Sequence, residues 1–147
     1  MRLATPEDAP QVAQAMQECF YSHPYLLPGL QDRLMLPPLQ YFCLVALLQD
    51  EIIGVLELVV LDNICYLFNL CVLPNARNLG IASDLMAIAH QVAVKIDIKQ
   101  IYLTVLLNNI PAQKLYLKLG YCRLCQIILN SNQILLMRKL LLPKNLK

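Results

Sequence analysis

Three apolar runs, Tyr41 to Leu48, Ile52 to Leu61 and Cys65 to Leu73, follow one another with only short polar breaks between them. Gln49-Asp50-Glu51 separates the first two, and Asp62-Asn63 precedes the third. Runs of this length bounded by turn formers read as strands, and a break this short reads as a hairpin. The same text does not fit a membrane helix, which needs about 18 consecutive apolar residues. Between Ile52 and Leu73 the apolar text is interrupted by Gly54, Glu57, Asp62, Asn63 and Asn69.

The flanking segments change period. Met1 to Ala4 reads as a short strand, and Thr5-Pro6-Glu7-Asp8 opens a helix with Thr5 as N-cap, Pro6 in the first turn and Asp8 completing a capping box. Val12, Met16 and Cys19 continue it at helical spacing. Ser22 to Pro38 carries four prolines and a glycine, which predicts a long irregular loop with one short helix near Leu30 to Met35. After Pro74 comes a polar loop, Asn75 to Gly80, and then Ile81, Leu85, Ile88, Val92 and Ile96 mark a long helix. Ile101 to Leu107 is a predicted strand. Asn109 caps a helix with Pro111 near its start and Gly120 just past its end. Arg123 to Leu129 and Ile134 to Leu140 are the last two strands, around Asn130-Ser131-Asn132. This mixed order predicts an α/β (α+β) fold on a central, mostly antiparallel sheet with some parallel pairing.

At 147 residues the chain is predicted to be one domain, 1–147. It is 58% hydrophobic and 15% charged, which excludes intrinsic disorder. Net charge is +2 and no basic run exceeds Arg138-Lys139, so a nucleic-acid partner is not expected. The opening MRLATPEDAP has acidic residues and prolines where a signal peptide needs an apolar run, so a cytoplasmic protein with no membrane partner is expected. Its six cysteines are then reduced thiols.

The chemistry concentrates where a strand, LFNLCVLP, runs through NARNLG into a helix, IASDLM. A helix N-terminus presents unpaired amides and a positive dipole end, which suits a phosphate. Gly80 permits close approach, and Arg77 adds a permanent charge with a planar donor fork. The alternative is an ordinary turn glycine beside a solvated arginine.

Arg77-Asn78-Leu79-Gly80-Ile81-Ala82 matches the (Gln/Arg)-x-x-Gly-x-(Gly/Ala) signature of the GNAT superfamily of N-acetyltransferases, which the chain resembles. Asn109 to Tyr116, followed by Lys118-Leu119-Gly120-Tyr121, is similar to that family's second motif, N-x-x-A-x-x-L-Y-E-K-x-G-F. The resemblance covers nearly the whole chain and implies about seven strands with helices on both faces. It implies acetyl-CoA as cosubstrate, its pyrophosphate on the amides of Arg77, Asn78, Leu79, Gly80, Ile81 and Ala82. It implies that the backbone of Leu70 and Val72 holds the pantetheine arm and polarises the thioester carbonyl. Asn109 would contact the same arm, and Tyr116 would protonate the departing thiolate. From its spacing alone, Tyr116 reads first as a tyrosine filling a helix–sheet seam, and it is the motif that favours the catalytic role.

The acceptor side is less determined. Many family members place a glutamate at positions that correspond here to Tyr66 and Thr104, neither of them a base. Glu57 is the only acidic residue deep inside a predicted strand and is the candidate for proton removal, with an outward-facing charge or a water chain to solvent as alternatives. LFNLCV resembles the strand of bacterial enzymes that acetylate the amino-terminal alanine of a ribosomal protein, but Thr104 replaces that group's glutamate. The weaker base favours a low-pKa primary amine, small molecule or peptide α-amine, as acceptor. His23, in the proline-rich loop, is a candidate for the acceptor pocket. Cys122 and Cys125 read as packing residues, Cys71 as inert and His90 as structural or exposed, and no metal site is expected.

Three readings remain: an acetyl-CoA-dependent N-acetyltransferase with direct transfer, a catalytically weak acyl-CoA-binding module, or an enzyme that transfers a longer acyl group. The last strands are more apolar than a monomer's edge should be, which predicts a homodimer through them.

Overall fold

The computed structural model describes residues 1–20 and 41–142. The helix expected at Leu30 to Met35 and the acceptor-pocket candidate His23 lie outside the described residues.

β1 (Arg2–Leu3) pairs with the edge of the sheet, shorter than the four-residue strand expected. The capping box forms: the Thr5 N–H donates to the Asp8 carboxylate at 2.7 Å and its hydroxyl at 3.3 Å. The chain then takes one 3-10 turn, Pro6–Asp8, and α1 (Ala9–Cys19) begins only at Ala9. Pro10 explains the delay, because it has no N–H to give a helix that began at Pro6 and tolerates only the first turn. Arg2 grips Asp8 through two hydrogen bonds, 2.6 and 2.9 Å, and this holds the Asp8 carboxyl down at about 2.

The apolar runs become β2 (Tyr41–Leu48), β3 (Glu51–Leu61) and β4 (Ile64–Val72). Their hairpins turn on pairs of left-handed residues, Gln49 and Asp50 (φ 48° and 66°) and then Asp62 and Asn63 (φ 48° and 65°). Such pairs match the twist of the flanking strands. α2 (Ile81–Lys95), β5 (Gln100–Leu106) and α3 (Ile110–Lys118) follow. β6 (Cys122–Leu129) and β7 (Asn132–Leu140) close the described chain, joined by Asn130 and Ser131 at φ 48° and 63°.

The seven strands form one sheet in the order β1-β2-β3-β4-β5-β7-β6. Every neighbouring pair is antiparallel except β4 and β5, which run parallel from Ile64–Gln100 to Leu67–Leu103. α1 covers one face, packing Val12, Ala15 and Met16 against Tyr41, Val45, Val55 and Cys71. On the other face Leu85, Met86, Ala89 and Ala93 of α2 join Leu44, Leu56, Leu58, Leu67 and Ile101, and Tyr116 of α3 belongs to the same core. Burying one such side chain is worth about 1.5–3 kcal/mol, so two covered faces account for much of the apolar composition. Among the described residues no helix is long and apolar enough to cross a membrane.

Gly54 lets α2 approach β3. A Cβ there would lie 3.0 Å from Ile81 Cγ2 and 3.2 Å from Leu85 Cδ1, so a larger residue would push on the first turns of α2.

Candidate active site

The parallel pair is where the sheet opens. β4 and β5 stop pairing after Leu67 and Leu103; β4 runs on to Val72, while β5 continues to Leu106 paired only with β7. Opposite β3 the register also slips. Glu57 faces Phe68 but Val55 faces Cys71, so Leu56 alone faces Asn69 and Leu70. That is a β-bulge on β4, and Asn69 within it has a left-handed backbone, φ 53°. Crevices at the carboxyl ends of parallel strands are habitual binding sites in open sheets.

The chain leaving β4 passes through a 3-10 turn, Pro74–Ala76, and then through left-handed Asn78 (φ 62°) and Gly80 (φ 83°) into α2. Gly80 is the N-cap of α2 and supplies no side-chain cap, so the first amides of a 15-residue helix have no side-chain acceptor there. A Cβ on Gly80 would meet nothing within 4 Å, which leaves room above those amides for a phosphate. Arg77, Asn78, Leu79 and Gly80 are exposed, and Ile81 and Ala82 half-buried. The Arg77 Nε donates to Val72 O at 3.0 Å, so the guanidinium is tied to the strand end rather than free in solvent.

The chain leaving β5 carries the second predicted segment. Asn109 caps α3 as expected, its Oδ1 accepting from the Ala112 N–H at 3.3 Å. Gln113, which the sequence did not single out, is buried and fixes α3 to the end of β5: its Nε2 donates to Leu106 O at 3.2 Å and Leu107 O at 2.7 Å. Tyr116 is 8% exposed in the core that Leu70 also packs against, its ring tilted on Tyr121 at 5.9 Å. Among the described residues its hydroxyl has no hydrogen-bond partner. Burial raises its pKa to about 12. A phenol near 10 is already a weaker acid than a thiol near 8.5, so outright proton transfer from Tyr116 to a thiolate runs uphill.

Glu57 is neither outward-facing nor on the Tyr116 side. It is 0% exposed, its neighbours across the ladder are Cys43 and Phe68, and it lies under α1 on the opposite face of the sheet. Its Oε1 accepts a short hydrogen bond from the Tyr41 hydroxyl, and its Oε2 accepts from Asn69 Nδ2 at 2.5 Å. Tyr66 and Tyr102 stack at 5.8 Å across the β4–β5 pair, and exposed Thr104 is the first β5 residue beyond it. Cys122 and Cys125 lie exposed on the edge strand, not packed in a core as expected, because β7–β6 is the last pairing of the sheet. Half-buried His90 meets the Tyr121 hydroxyl at 2.9 Å, and desolvation with the nearby Lys139 charge pulls it down to about 4.

A thiol also meets the strand end. Cys19 Sγ donates to Val72 O at 3.5 Å, the carbonyl that Arg77 also uses, and Cys71 Sγ reaches Ala15 O at 3.9 Å. Hydrogen bonding with Cys71, helped by the Arg77 charge, brings the Cys19 thiol down to about 7 against its burial. Burial raises Cys65 to about 12, and the hydrogen bond with Cys19, then burial, pushes Cys71 upward as well. Since the thiolate is the nucleophile, iodoacetamide should label Cys19 far faster than Cys65 or Cys71, with a rate half-maximal near pH 7 by peptide mass spectrometry. A Cys19 rate that begins to rise only above about pH 8.5, the ordinary thiol value, would contradict this.

The fold has known counterparts. The model of the acetyltransferase (GNAT) family matches residues 9–121, well over half of the chain. The chain belongs to that family. Acetyl transfer is thus the general chemistry of its kind. The chain is 41% identical over 56 residues to GCN5-related N-acetyltransferase 6, chloroplastic, of Arabidopsis thaliana; the match covers 38% of this chain and only 19% of that relative. Its fold superposes on the ribosomal-protein-S18-alanine N-acetyltransferase of Escherichia coli with a TM-score of 0.83 at 16% identity, covering 99% of this chain and 97% of the other. It also matches a PaiA N-acetyltransferase of Thermoplasma acidophilum in complex with coenzyme A, TM-score 0.75, 21% identity, 95% and 97% covered. At these identities both structures bear on the GNAT fold alone.

Proposed function

We propose that residues 1–147 work as one N-acetyltransferase domain that moves an acetyl group from acetyl-CoA directly to a primary amine. The observation that carries this reading is the opening of β4 from β5 at a bulge, leading straight into the uncapped start of α2. The pyrophosphate of the cosubstrate would sit on the amides of Arg77 to Ala82. The backbone of Leu70 and Val72 would hold the pantetheine arm, and the bulge would receive the thioester oxygen, where donors to the developing oxyanion count most. Asn109, at the mouth of α3, would contact the same arm.

The neutral amine attacks the thioester carbon, the new C–N bond forms, the C–S bond breaks, and the proton lost from nitrogen balances the one gained by sulfur. Tyr116 donates a hydrogen bond to sulfur as charge develops there. Its high pKa means that it hands over the proton only in step with a proton returning to it. An α-amine near pKa 8 is partly neutral at pH 7, whereas a lysine amine near 10.4 is not, so a peptide amino terminus or a low-pKa small amine suits a site with Tyr66 and Thr104 where a base could stand. The Escherichia coli protein of like fold acts, by its name, on an alanine of a ribosomal protein, which supports a peptide acceptor. The six thiols of the chain suit the cytoplasm.

Release of free CoA thiol is the test, with acetyl-CoA against a panel of small amines and peptides. Turnover with at least one acceptor is expected. CoA that raises the melting temperature without any turnover would favour the second reading, an acyl-CoA-binding module, which the lack of a carboxylate at Tyr66 and Thr104 supports.

A homodimer through the last strands is part of the same proposal. Every residue of β6 is exposed, and it ends the sheet with Leu124, Ile127, Ile128 and Leu129, Ile128 at 77%. An apolar edge strand of this kind is a template for a second copy. Sedimentation at micromolar concentration should give a dimer for the native chain and a monomer for Ile128→Lys; a native monomer would refute it.

A further inference from the structure

Glu57 is a buried carboxylate that touches the bulge and not the Tyr116 face. A left-handed backbone costs a residue with a Cβ free energy, less for Asn than for most, and something must hold Asn69 there. Its side-chain amide is held by Glu57 Oε2 at 2.5 Å, and Glu57 Oε1 is held in turn by the Tyr41 hydroxyl. Tyr41 on β2, Glu57 on β3 and Asn69 on β4 thus make a hydrogen-bonded line across three adjacent strands, its Tyr41 and Glu57 buried and its half-buried end at Asn69, the one left-handed residue of β4. Tyr41 is 4% exposed, so both groups that meet at the carboxylate Oε1 are removed from solvent. In such surroundings a hydrogen-bonded polar line is rigid, and losing one member leaves its buried neighbour short of a partner.

We infer that Tyr41, Glu57 and Asn69 form a positioning line that fixes the β4 bulge, so that Glu57 acts on the reaction through the shape of the Leu70 backbone and not as the base for the acceptor amine. The inference rests on the acetyltransferase reading for its kinetic consequence, though not for its structural one. Glutamine in place of Glu57 keeps the shape but removes the charge, and its amide can face Asn69 with oxygen only if the Tyr41 hydroxyl turns to accept, so both charge-assisted links are weakened.

The test is a double-mutant cycle on the full chain: Glu57→Gln, Asn69→Ala and both together. Each single change should lower kcat about 10- to 100-fold, as loss of groups that orient catalytic ones does, with CoA affinity falling by a smaller factor, because the Leu70 contact to the arm shifts while the Arg77–Ala82 loop is untouched. The double variant should be no worse than the poorer single one, since both cut the same line. Asn69→Gly, for which the left-handed backbone is cheap, should recover part of what Asn69→Ala loses. The kcat/KM profile of Glu57→Gln should keep the native acidic limb at a lower plateau. Multiplying effects, or loss of that limb, would make Glu57 the base and overturn the inference.

Amide hydrogen exchange over Phe68 to Val72 reads the bulge without turnover. It should quicken at least tenfold in Glu57→Gln while exchange in α2 stays native; an unchanged rate overturns the inference. If the native chain shows no turnover, the acetyltransferase reading fails, and this exchange measurement alone decides the positioning line.

Discussion

Replacing Tyr116 with Phe should lower kcat by about 10²- to 10⁴-fold, the usual loss when a positioned proton donor is removed, while leaving the melting temperature near its native value. The two halves of this expectation have separate causes. The ring supplies the packing, against Tyr121 and within the core shared with Leu70, and Phe retains it. The hydroxyl has no partner among the described residues, so its loss strands no other buried group. Because burial lifts the phenol to about 12, it stays protonated across the range in which the enzyme can be assayed. A phenol at its ordinary value would be half ionised at about pH 10, and activity would fall as pH rose through it. With the raised value, no fall assignable to this group should appear below about pH 11, one unit under 12. Steady-state rates from pH 6 to 10.5, native against Tyr116→Phe, check both statements. Native-like turnover in the variant would remove Tyr116 from the chemistry.

Gly54→Val should cost about 1–3 kcal/mol of stability, the range for overfilling a packed core, and should weaken CoA binding by about tenfold, or roughly 1.4 kcal/mol. Gly54 lies in β3 and touches no residue of the cofactor loop by sequence. Yet its missing Cβ is the space that Ile81 Cγ2 and Leu85 Cδ1 occupy, at 3.0 and 3.2 Å from where that atom would be. Two further methyl groups must move the first turns of α2, the turns whose amides would receive the pyrophosphate. Ala, which adds the Cβ alone, should have a smaller effect because the ends of both side chains can give. Denaturant unfolding and calorimetry with CoA measure the two effects. Loss of stability with native CoA affinity would mean that α2 keeps its place and that β3 bends instead.

The two glycines show what a sequence can and cannot say. Gly80 was legible because its role is local: a left-handed N-cap within a six-residue signature needs no knowledge of the rest of the chain. Gly54 was not, since the atoms that forbid a side chain there lie more than two dozen residues away. The same division runs through the site. The strands, their hairpins, the long helix and the two motif segments follow from period, turn chemistry and short-range signature, all properties of neighbouring residues. Where α1 begins was misread by one turn, because Pro10 acts on a hydrogen bond four residues back.

The roles of the polar groups were decided only in three dimensions. Glu57 could be recognised as unusual, an acid deep in an apolar strand, but its partners Tyr41 and Asn69 come from the two neighbouring strands and are set by register. The burial of Tyr116 and the meeting of Cys19 with Arg77 at Val72 O likewise depend on which faces are covered. By itself the sequence determined the elements and the kind of fold, because hydrophobic period and backbone propensity act over a few residues. The tertiary structure decided which carboxylate is solvated, which phenol is a poor acid and which turn is held open, because desolvation and hydrogen bonding depend on what long-range packing brings alongside.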